Sequence, residues 1–209
     1  MLIQGSVGQP STTSIQPGTT PTMRQGQLGE VIVSELHGRY YETSYRRNSF
    51  TGATQAGVTT SAGLATATTG LILTNPTSST VNLVLNKVGY AFTVLPAAAI
   101  VVGLAFNTST TAVTQTTAIT GRNNFLGGQT PQGLVASSVT LPTAGIVSHV
   151  FGAVNFIATP ANIYATTMTM VDLEGSVILP PGSYVHVYTS AASGASGFFG
   201  SFQWEEVPV

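Results

Sequence analysis

Charge is almost absent from the long middle of the chain. Between Asn48 and Val171 only Lys87 and Arg122 are ionised, and all 209 residues together carry six Lys plus Arg against seven Asp plus Glu. That scarcity constrains the fold more than any motif does. About a quarter of the residues are charged in an ordinary globular chain, and solvated helix faces are built largely from them. Here the polar positions are Thr, Ser, Asn and Gln instead. Thr, together with Val, Ile, Tyr and Phe, fits the pleated, half-buried surface of a β-sheet.

From about residue 58 to Val209 no long run repeats its apolar residues at helical spacing, while short runs alternate between Gly, Pro and Asn punctuation. Strands are expected at about 70–74, 81–87, 89–95, 100–106, 134–141, 146–157, 164–172, 176–179, 183–189 and 198–207. Asn75 to Thr80 suits a hairpin-like loop, and Pro180-Pro181-Gly182 has the Pro-before-Gly order of a type II turn. In YVHVYT, Val185 and Val187 alternate with Tyr184, His186 and Tyr188, which predicts one core face and one aromatic, solvent-exposed face. Many short strands with loops as long as Asn107 to Gly133 predict an all-β chain, with a jelly-roll-like β-sandwich over 51–209 rather than an up-and-down barrel. The apolar run AAAIVVGLAF is too short for a membrane helix, which takes about 20 residues, so no membrane partner is expected.

Residues 1–27 hold Pro10, Pro17 and Pro21 among Gly, Ser, Thr and Gln, with too few large apolar groups to form a core. They are expected to form an extended N-terminal arm. Its scattered anchors, Leu2, Ile3, Val7, Ile15 and Met23, suit shallow pockets on a neighbouring subunit; a terminus that touches nothing fits the same composition.

Residues 28–50 form a connecting segment in which charge is concentrated, with six of the chain's ionised side chains between Glu30 and Arg47. Glu35 with Arg39, and Glu42 with Arg46, have the acid-first spacing that supports a helix, and Leu36 with Tyr40 and Tyr41 with Tyr45 repeat the step. Gly38 opposes a helix by about 1 kcal/mol relative to Ala, and the alternation Tyr41, Thr43, Tyr45, Arg47 suits an extended edge, so helix and strand both stay open. Arg39, Tyr40, Tyr41, Tyr45, Arg46 and Arg47 are of the residue types that anchor protein interfaces.

Chemistry is harder to find. Without cysteine there is no disulfide framework, thiolate nucleophile or Cys-based metal site. One Lys and five Arg are too few to neutralise a nucleic-acid backbone. No G-x-S-x-G elbow is present, and His37, His149 and His186 form no pair at metal-ligating spacing, so neither metal nor other cofactor is expected. A general acid–base pair needs two carboxyls facing one cleft about 5–9.5 Å apart. Asp172 and Glu174 could share a strand face, yet Leu173 and Gly175 around them suggest a strand end; Glu205 and Glu206 would point to opposite faces. Gly127-Gly128 lacks the Lys of a phosphate-binding loop. These absences lead to the expectation that the chain is not an enzyme and takes no small-molecule substrate. Its net charge of −1 favours association, and a homo-oligomer burying strand faces or edges would satisfy it.

ELHGRYYETSYRRNSF within Gly29 to Phe50, the segment LILTNPTSSTVNLVLNKVGYAF, and the ending ILPPGSYVHVYTS with FFGSFQWEEVPV resemble virion structural proteins of tailed bacteriophages, over most of the chain. The resemblance implies a sandwich subunit on the capsid surface, a cement or decoration protein that caps junctions between major capsid proteins, often as a homotrimer. An alternative is a head or tail fibre subunit that binds host surface glycan by stacking sugars on Tyr184, Tyr188, Phe202 and Trp204, although Trp204 in FQWEEV equally suits the core.

Overall fold

The computed structural model describes residues 5–7, 23–25, 38–94, 96, 98–154 and 169–209. It divides the chain into two units, Met1–Tyr41 and Glu42–Val209. In the first, β1 (Gly5–Val7) pairs in parallel with β2 (Met23–Gln25). Of residues 1–27, expected as an extended arm, only these two paired three-residue strands are described. Leu2, Ile3 and Ile15 lie outside the described residues, as do Glu35 and Leu36 of the expected helix pairs.

Of the two readings of the charged segment the helical one holds over Tyr41 to Tyr45, and the extended edge expected along Tyr41, Thr43, Tyr45 and Arg47 does not form, the strand beginning only at Ser49. A single helical turn, α1 (Tyr41–Tyr45), is supported by the expected ion pair, Arg46 Nε to Glu42 Oε1 at 2.7 Å. Arg47 then adopts a left-handed φ of 65°, the conformation that commonly stops a helix. The strand β3 (Ser49–Ala53) follows and belongs to the sandwich, with Phe50 wholly buried. The sandwich thus begins at Ser49, two residues ahead of the sequence-derived boundary.

The remaining strands are β4 (Ala67–Asn75), β5 (Val81–Phe92), β6 (Ile100–Thr108), β7 (Thr114–Ile119), β8 (Arg122–Asn123), β9 (Leu134–Thr140), β10 (Ile146–Val154), β11 (Thr169–Leu179), β12 (Ser183–Thr189) and β13 (Phe198–Pro208). One sheet has the order β10-β6-β12-β4-β9-β7, the other β11-β5-β13-β3-β8, and every pairing in them is antiparallel. Three of these pairings define the topology: β4 with β12, β5 with β11, and β6 with β10. Two distant stretches of chain run antiparallel as one ribbon, and the ribbon alternates between sheets as it rolls up. That is the jelly-roll arrangement expected from the sequence.

Because the ribbon alternates, Asn75–Thr80 is not a hairpin-like loop. It carries the chain from the six-stranded sheet to the five-stranded one, and the Pro-Gly turn after β11 carries it back. The turn itself is of the expected type, with Ser183 N donating to Pro180 O at 3.1 Å and Gly182 at φ 81°. Asn75 clasps the two crossings: its Nδ2 donates to Val81 O at 2.7 Å and Leu179 O at 2.8 Å, and its carbonyl accepts from Gly182 N at 2.9 Å.

Between the sheets lie Phe50, Leu71, Leu73, Leu85, Leu104, Val185, Phe202 and Trp204, all fully buried. The expected wet aromatic face of β12 is a second core. Tyr184 is fully buried with Ile72, Ala136, Val139 and Leu141, and its hydroxyl donates to the carbonyl of Thr143. Covering both faces of the six-stranded sheet buries every residue of β12 except Tyr188, which stays half-buried, and strict alternation along one strand does not reveal this.

Candidate functional site

Among the described residues β10 and β7 end one sheet and β11 and β8 the other, and the packing brings these end strands together in pairs. On one side β10 and β11 flank a groove of about 260 Å³ lined by Phe106, His149, Val177, Ile178 and Pro180. On the other, β7 and β8 flank a more polar cavity of about 460 Å³ lined by Gln55, Thr117, Ile119, Arg122 and Ser137. Edge strands invite pairing, and soluble proteins blunt them with Lys, Pro, bulges or covering segments. β10 contains no Lys or Pro; its register shifts at two places, and it exposes Ile146 and Val150, each by about two-thirds. β11 exposes Met170 and Ile178.

Asp172 and Glu174 stand on a bulge of β11, where Asp172 pairs with Lys87 but Val177 already pairs with Leu85. Glu174 and Gly175 take left-handed φ values of 53° and 79° to make it. Asp172 Oδ1 accepts from Glu174 N at 3.0 Å, and its Oδ2 lies 3.9 Å from Lys87 Nζ. This is the strand interruption that the sequence suggested at Leu173 and Gly175, although β11 resumes beyond it.

The β8 side gathers part of the residues expected to make contacts. Arg47 lies with its guanidinium 4.8 Å from the centre of the Phe125 ring. Asn123 Nδ2 donates to Arg47 O at 2.7 Å, and Asn124 N donates to Ser49 O at 2.9 Å, so the loop after β8 is fixed to the start of β3. A turn closed by Gly128 N donating to Phe125 O presents Leu126, which is 88% exposed. Tyr45, Arg46, Arg47 and Arg122 are exposed too. Phe125 and Leu126 were missed by the sequence reading; the signal was an adjacent pair of large apolar residues in an otherwise polar, Gly-rich loop. Arg39, Tyr40 and Tyr41 belong to the first unit, Arg39 and Tyr41 exposed and Tyr40 half-buried. Val7 and Met23 are described by backbone alone, within β1 and β2.

The aromatic residues considered for sugar stacking are mostly inside. Trp204, Phe202 and Tyr184 are each fully buried, so they form no platform. Trp204 packs on Phe50 with ring centres 6.0 Å apart, and its Nε1 donates to Glu206 Oε1 at 3.3 Å. Burial pushes the Tyr184 hydroxyl up to about 12. Glu205 is raised and His186 lowered for the same reason, the latter despite a contact of Nδ1 with Val187 O. His186 Nε2 is buried with no partner. Among the described residues no three His, Asp or Glu side chains gather to hold a metal ion.

A scan against protein-family models finds none that matches, and searches of the curated proteins and of the solved structures return no match either.

Proposed function

We propose that the chain is a structural subunit of a virus particle, a capsid cement or decoration protein that reinforces the shell by bridging copies of the major capsid protein. The observation that carries this reading is the pair of open lateral sides. Apolar residues stand exposed along β10 and β11, and an Arg- and aromatic-rich surface stands at β8, on a sandwich with almost no charge elsewhere. Such a surface is poorly suited to solitary solution and well suited to burial against other protein. Arg and Tyr supply the desolvated anchors typical of interfaces. A homotrimer on the capsid surface is the assembly this reading expects, and many weak contacts on one lattice act with high effective concentration.

The test is occupancy on purified empty heads. The full chain is expected to saturate them and raise their disruption temperature, while a chain lacking residues 1–27 keeps the thermal midpoint of the sandwich but occupies fewer positions. Failure of the full chain to bind any shell, together with a native mass of one subunit, removes the reading.

A further inference from the structure

The two lateral sides differ in a way that fits one to the other. The β8 side carries Arg46, Arg47 and Arg122 against Glu42, and Leu126 stands exposed on the loop that the contact of Arg47 with Phe125 holds in place. The β10–β11 side carries Asp172 and Glu174 against Lys87, beside an apolar groove lined by Phe106, Val177, Ile178 and Pro180. One side is basic with an apolar knob, the other acidic with an apolar hollow. The hollow, at about 260 Å³, exceeds the roughly 150 Å³ that suffices for a benzene ring in a protein interior, so a leucine side chain enters it with space left for part of its loop.

We propose that a second copy of this chain occupies the groove: Leu126 of one subunit seats between β10 and β11 of the next, with the Arg47 side of the first facing the Asp172 and Glu174 bulge of the second. The contact is head-to-tail, joining two different patches. Repetition of such a contact closes into a ring when the rotation per step divides a full turn and otherwise grows as a filament. The inference rests on the assembly reading above and specifies its interface; charge complementarity chooses the partner, since a self-complementary contact would bring like charges together on either side.

Because the patches differ, complementation tests it. The full chain is compared by sedimentation velocity with Leu126→Asp, which spoils the knob, and Ile178→Asp, which spoils the groove. Ser176→Arg, at an exposed groove position, is the second groove variant should Ile178→Asp unfold, and circular dichroism checks folding throughout. Wild type is expected to sediment as a multimer, and each variant alone as a single chain, with self-association weakened at least about a hundredfold. A knob variant mixed with a groove variant keeps one good patch from each, so the mixture is expected to form a particle of two chains and nothing larger. Arg47→Glu is expected to weaken association about tenfold at low salt and less at high salt, and Glu174→Arg in the same chain to restore it.

A wild-type multimer unmoved by Leu126→Asp overturns this interface and leaves the assembly reading standing. Variants that dissociate but fail to complement overturn the head-to-tail geometry. A wild type that is itself a single chain overturns this proposal and the self-assembly on which it rests, leaving shell binding to be judged by the occupancy test.

Discussion

Replacing Glu206 by Leu probes the one buried acidic side chain among the described residues. Glu206 is 6% exposed, and its Oε1 accepts from Gly133 N at 2.9 Å and Trp204 Nε1 at 3.3 Å. A side chain at residue 133 would approach Leu83 Cδ1 to 2.9 Å and Trp204 Nε1 to 3.1 Å, so little space remains for a water to take over. Leu leaves two buried donors unpaired at about 1–3 kcal/mol each. Recovering the desolvation of the carboxyl group offsets part of that, for a net loss of about 2–4 kcal/mol. With a urea dependence of about 2 kcal/mol per molar, the midpoint falls by about 1–2 M. Trp204 is the sole tryptophan and lies at the site, so its fluorescence reports unfolding directly. Glu206→Gln keeps the oxygen acceptor and is expected to lose less than about 1 kcal/mol. A Leu variant within about 0.5 kcal/mol of wild type, or a Gln variant as damaged as Leu, refutes the assignment of these two hydrogen bonds as the reason for a buried glutamate.

Gly103→Ala is expected to destabilise the sandwich by about 1–3 kcal/mol or more, because the added carbon would lie 2.1 Å from the carbonyl oxygen of His149 on β10; calorimetry checks it. Burial lowers the His186 pKa, so the unfolded chain takes up a proton there before the folded one. Stability from this group is complete above the ordinary value of about 6.5 and declines as pH falls through it, by no more than about 1.4 kcal/mol per pH unit. His186→Leu should flatten the melting temperature between pH 7 and 5 relative to wild type, and an unchanged slope contradicts this origin. Lys87→Ala should cost under about 1 kcal/mol in urea, since its 3.9 Å pair with Asp172 is partly exposed.

Strands were visible in the sequence where their two faces differ, and also in β12, where both are largely buried. β13 alternates buried and partly exposed residues from Phe198 to Glu206, and its apolar spacing predicted it nearly to the residue. Two expected strands, 81–87 and 89–95, are one: β5 runs unbroken through Val88 and Gly89 to Phe92. β3 was not expected, and at its Gly52 a side chain would meet Val135 across the sandwich. Gly175 does mark an irregularity, but a bulge rather than an end. β7 was missed since TQTTAI is exposed or half-exposed at every position and so carries no alternation to detect. The candidate site was legible only for Tyr45, Arg46 and Arg47. Phe125, which Arg47 meets, and the neighbouring Leu126 are far along the chain, and proximity of that kind follows from sheet order, which local spacing does not encode.

The order in which strands are made sets the schedule of folding. β13 is inserted between β5 and β3, although it is translated after both, and β12 likewise completes the neighbourhood of β4. A ribosome-bound chain that has already produced β3 through β6 holds their apolar faces with the central strand of one sheet still missing. Closure therefore waits until the last strand leaves the exit tunnel, and long-range pairing of this kind is slow. A pause in translation before residue 198 would extend the interval in which sticky, half-built sheets from neighbouring ribosomes can meet.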